Sequence, residues 1–128
     1  LRGIDVRIIV PHIPDKKIIF NMTRSYYKRL MTAGVKIYEY EPGFIHSKNF
    51  VCDDEIGVVG TINLDYRSLY LHFECGVLMY KTEAIKDIKE DFLNTLKKSK
   101  KISIEDTRKI KWADKFITAI LRVFAPLM

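Results

Sequence analysis

The chain has 128 residues, of which 48% are hydrophobic and 30% are charged, so its composition excludes a disordered chain and suits one globular domain. Its net charge of +6 lies mainly in residues 81–128, and such a basic region attracts nucleic acid or an anionic membrane equally well. No apolar run approaches the roughly 18 residues that would predict a membrane span. The chain begins without methionine, and we expect it to be a piece of a larger protein.

The first third of the chain predicts a β-α-β unit. β-Branched residues at 4–10 predict a strand, apolar residues at helical spacing from Asp15 to Ala33 predict a helix, and alternation over 35–40 predicts a second strand. Asp15 suits the N-cap, and Gly34 suits the position just after the last turn. A helix between two strands implies that the strands are parallel, with a right-handed crossover.

The rest of the chain predicts three more strands and two more helices. The strands cover about 47–53, 56–61 and 72–80, and a helix follows from about 82 to 98, with lysines at its carboxyl end. A capping signal at Ser103 predicts the start of a last helix that reaches about Phe124. We interpret residues 1–128 as a single domain in which 103–128 form a C-terminal amphipathic helix.

The two cysteines, Cys52 and Cys75, lie in apolar, strand-like runs. We predict that both are small buried residues in a reducing compartment, in preference to a disulfide or a catalytic thiol. No cysteine–histidine cluster indicates a zinc site.

The side chains with the most reactive chemistry lie in the middle of the chain. His46 and Lys48 are two residues apart, as are Thr61 and Asn63, so each pair shares one face of a strand. If the intervening turn has two or four residues, Lys48 faces Thr61 and His46 faces Asn63, whereas a one-residue slip would separate the pairs. Asp53 has the opposite parity to Lys48.

This combination of an imidazole, an ammonium, a hydroxyl and a carboxamide suits a phosphodiester substrate. Lys48 supplies positive charge, and Thr61 and Asn63 donate hydrogen bonds to phosphate oxygens. His46 can act as nucleophile or proton donor near neutral pH, and Glu74 could hold its other ring nitrogen. Since the lysine and the amide take the electrophilic role, the chemistry requires no metal and no cofactor.

Singly, each of these residues is more often structural, and it is their joint spacing that resembles a known pattern. The pattern His-x-Lys-x4-Asp-x6-Gly-Thr-x-Asn, from His46 to Asn63, resembles the HKD motif of the phospholipase D superfamily. Beyond this motif, residues 38–48, 60–68 and 73–74 resemble the second catalytic copy of bacterial cardiolipin synthases, and residues 121–127 are similar to the carboxyl terminus of that family. His72 is a departure, because such sequences usually have asparagine there.

The resemblance implies an α/β fold, with a phospholipase D-like mixed β-sheet flanked by helices, as one half of a two-lobed enzyme. It implies a phosphatidyltransferase that makes cardiolipin from two phosphatidylglycerol molecules through a phosphohistidine intermediate. The second histidine would come from the missing N-terminal HKD half or from a homodimer, and the isolated chain should otherwise be inactive. We expect a phospholipid substrate, an anionic bacterial membrane surface and no nucleic acid as partners, with the fragment itself soluble.

The resemblance also implies roles for individual residues. His46 is expected to be the general acid and base, with nucleophile as the second choice, and Glu74 is expected to orient it. Lys48 and Asp53 complete the catalytic motif, although the parity of Asp53 suggests a structural hydrogen-bonding role. The residues expected to bind the substrate phosphate are Lys48, Thr61 and Asn63.

Two alternatives to this function stay open. Another phospholipase D-type phosphodiesterase or a nuclease would carry the same motif, and a nuclease should place its basic surface beside His46. A non-catalytic half would serve only assembly or membrane docking. The C-terminal helix is also open to two interpretations, because its cations between Lys109 and Arg122 suit either a helix packed on the domain or one lying on anionic lipid.

Overall fold

The structure is a computed structural model that describes residues 3–13 and 17–108. The predicted N-cap Asp15 and the predicted helix beyond Arg108 lie outside these ranges. In chain order the described strands are β1 Arg7–Pro11, β2 Lys36–Tyr40, β3 Lys48–Cys52, β4 Ile56–Gly60, β5 Gly76–Tyr80 and β6 Ser99–Lys101. The described helices are α1 Lys17–Thr32, α2 Ala84–Lys97 and α3 Ile104–Arg108, together with a short π-helical turn at Arg67–Leu71.

These elements confirm the predicted mixed α/β class. The strands form two three-stranded sheets, one with the order β1-β2-β6 and the other with the order β3-β4-β5. The chain divides into two compact units, and each sheet belongs to one of them. The second unit covers His46–Lys97, and the first contains the described residues on either side of it.

The first unit contains the predicted β-α-β unit. β1 and β2 are parallel, with Ile8 opposite Ile37, as the sequence predicted. Tyr27 of α1 packs with Ile37 and Ile102 in the buried core of this unit. The pattern of apolar residues therefore identified both strands and the helix between them.

Gly34 ends α1 as predicted. Its φ angle is +98°, a left-handed conformation in which glycine has no steric penalty. The Gly34 N–H donates to the Met31 carbonyl at 3.0 Å, and the Val35 N–H donates to the Leu30 carbonyl at 3.1 Å. These two bonds are those of a Schellman motif, which satisfies the last carbonyls of the helix.

Strand β6 was not predicted, because its residues are a serine and two lysines with little strand propensity. It pairs antiparallel with β2, with Tyr38 opposite Lys101. The next residue, Ile102, is buried and donates its N–H to the Ile37 carbonyl at 2.9 Å. One buried isoleucine thus anchors the segment, and exposed lysines are typical of a strand at a sheet edge.

Ser103 caps α3, as the sequence predicted. The Asp106 N–H donates to the Ser103 hydroxyl oxygen at 3.2 Å, and the Ser103 N–H donates to the Asp106 carboxylate at 3.0 Å. This reciprocal arrangement satisfies two backbone donors at the helix start.

A charged group is buried in the first unit. Glu39 of β2 is only 2% exposed, and its carboxylate accepts hydrogen bonds from Tyr27 at 3.2 Å and from His12 at 2.8 Å. The Arg24 guanidinium lies 3.3 Å away. Burial, followed by the nearby Glu39 charge, raises the pKa of Tyr27 well above its ordinary value. These contacts link α1, β2 and the segment after β1.

The second unit consists of an antiparallel sheet and α2. Phe50 of β3 lies opposite Val58 of β4, and Gly60 of β4 lies opposite Gly76 of β5. Ile85 of α2 is fully buried and lies close to Gly57, where a Cβ atom would be 3.1 Å from its side chain. The predicted strand over 72–80 is too long, because the ladder with β4 begins only at Gly76.

The predicted register of β3 and β4 is wrong by one residue. Lys48 lies opposite Gly60, not Thr61, and His46 precedes the first residue of β3. The reason is that three residues lie between the strands, an odd number that the sequence prediction did not consider. Asp53 and Asp54 within this turn have φ angles of 50° and 60°, a left-handed conformation that aspartate tolerates better than most residues.

The predicted burial of the cysteines is also wrong. Cys52, at the end of β3, and Cys75, just before β5, are both exposed, and neither forms a disulfide. Cys52 is the last residue of β3 and Cys75 precedes β5, so neither lies in the middle of a strand, where the apolar runs placed them.

Candidate active site

A cavity of about 570 Å³ lies in the second unit at the end of the sheet where β3 begins and β4 ends. Its lining combines cations, carboxylates, hydroxyls and two imidazoles. The lining residues are His46, Lys48, Gly60, Thr61, Asn63, Asp65, Arg67, Ser68, His72 and Glu74. The structure therefore brings five of the six predicted site residues to one pocket despite the shift in register, while their chemical roles stay predictions.

Lys48 is held in place by the backbone of His46. It is the first residue of β3, and its ammonium donates to the His46 carbonyl at 2.7 Å. An ammonium has three hydrogens to donate, so this bond orients the lysine and leaves two for an anion in the pocket.

Thr61 extends the pairing of β4 with the chain before β5. Its N–H donates to the Cys75 carbonyl at 2.9 Å, and the Cys75 N–H donates to its hydroxyl oxygen at 3.1 Å. The same hydroxyl donates to the Glu74 carboxylate. Because a hydroxyl carries one hydrogen, the predicted donation from Thr61 to a phosphate would require it to leave Glu74.

Glu74 is stabilised in its ionised form. Hydrogen bonds from Thr61 and then from Ser68 lower the pKa of Glu74, and His72 and Lys48 contribute smaller electrostatic effects. The carboxylate is thus a fixed negative charge in the pocket at neutral pH. Its predicted role as the partner of the His46 ring stays a prediction.

The segment between β4 and β5 folds around Asp65. The Asp65 carboxylate accepts the Ser68 N–H at 2.7 Å, and its carbonyl accepts the Leu69 N–H at 3.1 Å. The Asn63 amide lies 3.5 Å from the Ser68 hydroxyl. The π-helical turn that follows brings Arg67 and Ser68 to the pocket wall.

The sequence prediction assigned no role to several of these lining residues. Asp65, Arg67 and Ser68 belong to the stretch that carried the family resemblance, and this was the signal available for them. The sequence offers no comparable indication for His72, because that residue departs from the resemblance.

Asp53 does not lie at the pocket. It belongs to the turn at the far end of β3, about 16 Å from Lys48 along an extended strand. The Cys52 thiol donates to the Asp53 carboxylate at 3.4 Å, and this hydrogen bond raises the pKa of Cys52. The position suits the structural role that the parity of Asp53 suggested.

Apolar side chains alternate with the polar residues beside the pocket. Leu64, Tyr70 and Leu71 are all at least 60% exposed, and Phe73 is fully exposed. A charged pocket therefore opens next to an uncovered apolar surface.

Within residues 3–13 and 17–108, no three histidine, cysteine, aspartate or glutamate side chains are grouped so that they could hold a metal ion.

In the same part of the chain, no helix has both the length and the apolar character needed to cross a membrane.

A pocket lined by histidine and lysine on a small mixed α/β scaffold is the arrangement of a phospholipase D-like domain. Residues 1–96 match the family described as cardiolipin synthase, PLD-like domain. The chain belongs to this family, and the whole pocket lies within the matched residues.

Individual relatives agree with the family match. An uncharacterized protein of Streptococcus mutans is 52% identical over 127 residues, which are 99% of this chain and 28% of that protein. Cardiolipin synthases of Halalkalibacterium halodurans and of a Geobacillus species are each 42% identical over the whole chain, which corresponds to 25% and 26% of their lengths. The chain thus spans about a quarter of the length of the curated relatives that it matches.

Proposed function

We propose that the full-length protein is a phosphatidyltransferase that converts two phosphatidylglycerol molecules into cardiolipin and glycerol. The observation that carries this proposal is the presence of His46, Lys48 and Asn63 in one pocket of a chain from the cardiolipin synthase family. The lining offers donors for a phosphate and an imidazole for proton transfer, the two requirements of phosphodiester exchange.

The hydrogen-bond donors of the pocket bind the phosphate. The two remaining hydrogens of Lys48, the amide of Asn63 and the guanidinium of Arg67 can all be directed at phosphate oxygens. Charge-assisted hydrogen bonds of this kind strengthen as negative charge grows on the phosphoryl group during displacement.

His46 serves as the general acid and base. The nucleophilic imidazole, from a second HKD copy, forms a nitrogen–phosphorus bond while the bond from phosphorus to the glycerol oxygen breaks. His46 gives its proton to that departing oxygen. It then takes the proton from a hydroxyl of the second phosphatidylglycerol, whose oxygen bonds to phosphorus as the nitrogen–phosphorus bond breaks. His46 as the nucleophile is the second choice.

The second copy comes from the N-terminal HKD half of the full-length protein, with a homodimer as the alternative. Residues such as Leu71 and Phe73 support this partner, because an apolar surface beside a pocket is expected to be covered by another protein segment. The reaction takes place at an anionic bacterial membrane surface, where the lipid substrate resides. Residues 1–128 act as one domain of this enzyme.

The test is lipid product analysis of the full-length protein in vesicles of phosphatidylglycerol. His46→Asn should lower cardiolipin formation by about 10²–10⁴-fold, the usual contribution of a general acid and base. His12→Gln is the matched control, because His12 belongs to the other compact unit and glutamine keeps a hydrogen-bond donor for Glu39.

The outcomes separate the competing functions. Unchanged cardiolipin formation by His46→Asn would overturn the catalytic role and favour a non-catalytic half. Cleavage of DNA by the wild-type protein, without any lipid product, would favour a nuclease.

A further inference from the structure

The pocket contains a second histidine for which the proposed reaction has no use. His72 lines the same cavity as His46. Its backbone is extended, with φ −126° and ψ 149°, so alternate residues point to opposite sides. His72 and Glu74 accordingly reach the pocket, while Phe73 between them is fully exposed.

The other charges that line the pocket balance. Lys48 and Arg67 contribute two positive charges, and Asp65 and Glu74 contribute two negative charges. Among protein side chains, an imidazole is the one that ordinarily gains or loses its charge near neutral pH. Apart from its two imidazoles, the described lining therefore has no net charge with which to attract an anion.

We propose that His72 is a phosphate-binding residue that, when protonated, donates a hydrogen bond to a non-bridging oxygen of a phosphodiester anion. The inference rests on the proposed function only for the identity of that diester, a phospholipid. Protonation of His72 gives the pocket a net positive charge, so anion binding strengthens as the pH falls. Asparagine, which similar sequences usually have here, also donates a hydrogen bond but adds no charge.

The test measures binding of diethyl phosphate to the full-length protein from pH 5.5 to 8 by calorimetry. Diethyl phosphate keeps a single negative charge over this range, so the titration belongs to the protein. The His46→Asn variant removes the other imidazole of the described lining. Its comparison with the double variant His46→Asn/His72→Asn isolates His72, because an imidazole from the second HKD copy is common to both variants. As the pH rises, the affinity of His46→Asn should fall about fivefold more than that of the double variant, the effect of losing one charge about 4 Å from the anion in a solvated site.

The double variant His46→Asn/His72→Asn should lack this fivefold change and keep only the pH dependence that the rest of the full-length protein contributes. His72→Gln in place of His72→Asn should give the same reduced pH dependence, which guards against a folding defect specific to one substitution. Circular dichroism at each pH verifies that every variant is folded.

Two results would overturn the inference. One is a flat profile for His46→Asn, and the other is a profile for the double variant that matches that of His46→Asn. Since diethyl phosphate binding is measured without turnover, the outcome is independent of lipid synthesis. Failure of the proposed function would show as continued cardiolipin formation by His46→Asn, a separate measurement.

Discussion

The Thr61 hydroxyl gives its single hydrogen to Glu74, and its oxygen receives the N–H of Cys75. The side chain therefore supports the carboxylate of the pocket and at the same time continues the pairing of two strands. A residue that the sequence assigned to the substrate is engaged with its own neighbours.

This relationship predicts a change in acid stability. Because the folded protein holds the pKa of Glu74 below its ordinary value, Glu74 stabilises the fold above the pKa of an unfolded glutamate, about 4.3. That contribution disappears as the pH falls through the lower folded value. Thr61→Val should therefore lose less stability than wild type between pH 7 and pH 3, as measured by urea unfolding.

Thr61→Ser is the matched control for this experiment, since serine keeps the hydroxyl. It should retain the wild-type difference between the two pH values. A Thr61→Val protein with the same acid sensitivity as Thr61→Ser would show that this hydrogen bond does not hold the pKa of Glu74 down.

Removal of the Lys48 charge should impair turnover more than stability. Lys48→Met takes away the ammonium that the His46 carbonyl orients, and we expect kcat/KM for phosphatidylglycerol to fall by about 10²–10³-fold, as for loss of a donor to developing charge. Lys86→Met, a change at an exposed lysine of α2, should leave kcat/KM within about twofold, because surface charges there contribute little. Equal activity of the two variants would contradict the phosphate-binding role.

Gly60 should tolerate no side chain. A Cβ atom there would overlap the Cys75 carbonyl and lie 2.7 Å from the Cα atom of Gly76, and both are backbone atoms that cannot rotate away. Gly60→Ala should lower the free energy of unfolding by about 2 kcal/mol or more, as overpacking does. At Gly43 a Cβ atom would meet nothing within 4 Å. Gly43→Ala should therefore change the free energy of unfolding by less than about 0.5 kcal/mol. Thermal or urea unfolding of the two variants checks the difference.

The buried carboxylate of Glu39 should matter for stability. Glu39→Ala leaves the buried Tyr27 hydroxyl and the nearby Arg24 without their acceptor, and we expect the free energy of unfolding to fall by about 3 kcal/mol. Tyr27→Phe removes one donor and leaves the carboxylate its other partners, so it should cost about 1 kcal/mol. If the two variants were equally stable, the carboxylate would not be the centre of this cluster.

The sequence predicted those helices and strands whose apolar residues recur with the period of the backbone structure that they adopt. Apolar spacing identified α1 and its flanking strands, and Gly34 and Ser103 marked helix ends through local hydrogen bonds. Strand β6 escaped prediction because a single residue, Ile102, anchors it through contacts with residues distant in sequence.

The sequence predicted which residues line the pocket, but it did not predict their strand register or their mutual hydrogen bonds. His46, Lys48 and Asn63 follow from spacing, but their register depends on a turn in which two aspartates adopt left-handed conformations. No residue-type rule fixes the length of such a turn. The engagement of Thr61 with Glu74 likewise depends on how the chain enters β5, which is a tertiary feature.

The described pocket lining runs from His46 to Glu74 within one continuous stretch of chain, and this has a consequence for folding kinetics. Two adjacent antiparallel pairings, β3 with β4 and β4 with β5, are enough to bring these side chains together. Closing such short loops costs little chain entropy, and contacts between residues near in sequence form early. The pocket should thus form with the first hairpins, before the two segments of the first unit, one on each side of the second unit in sequence, pair with each other.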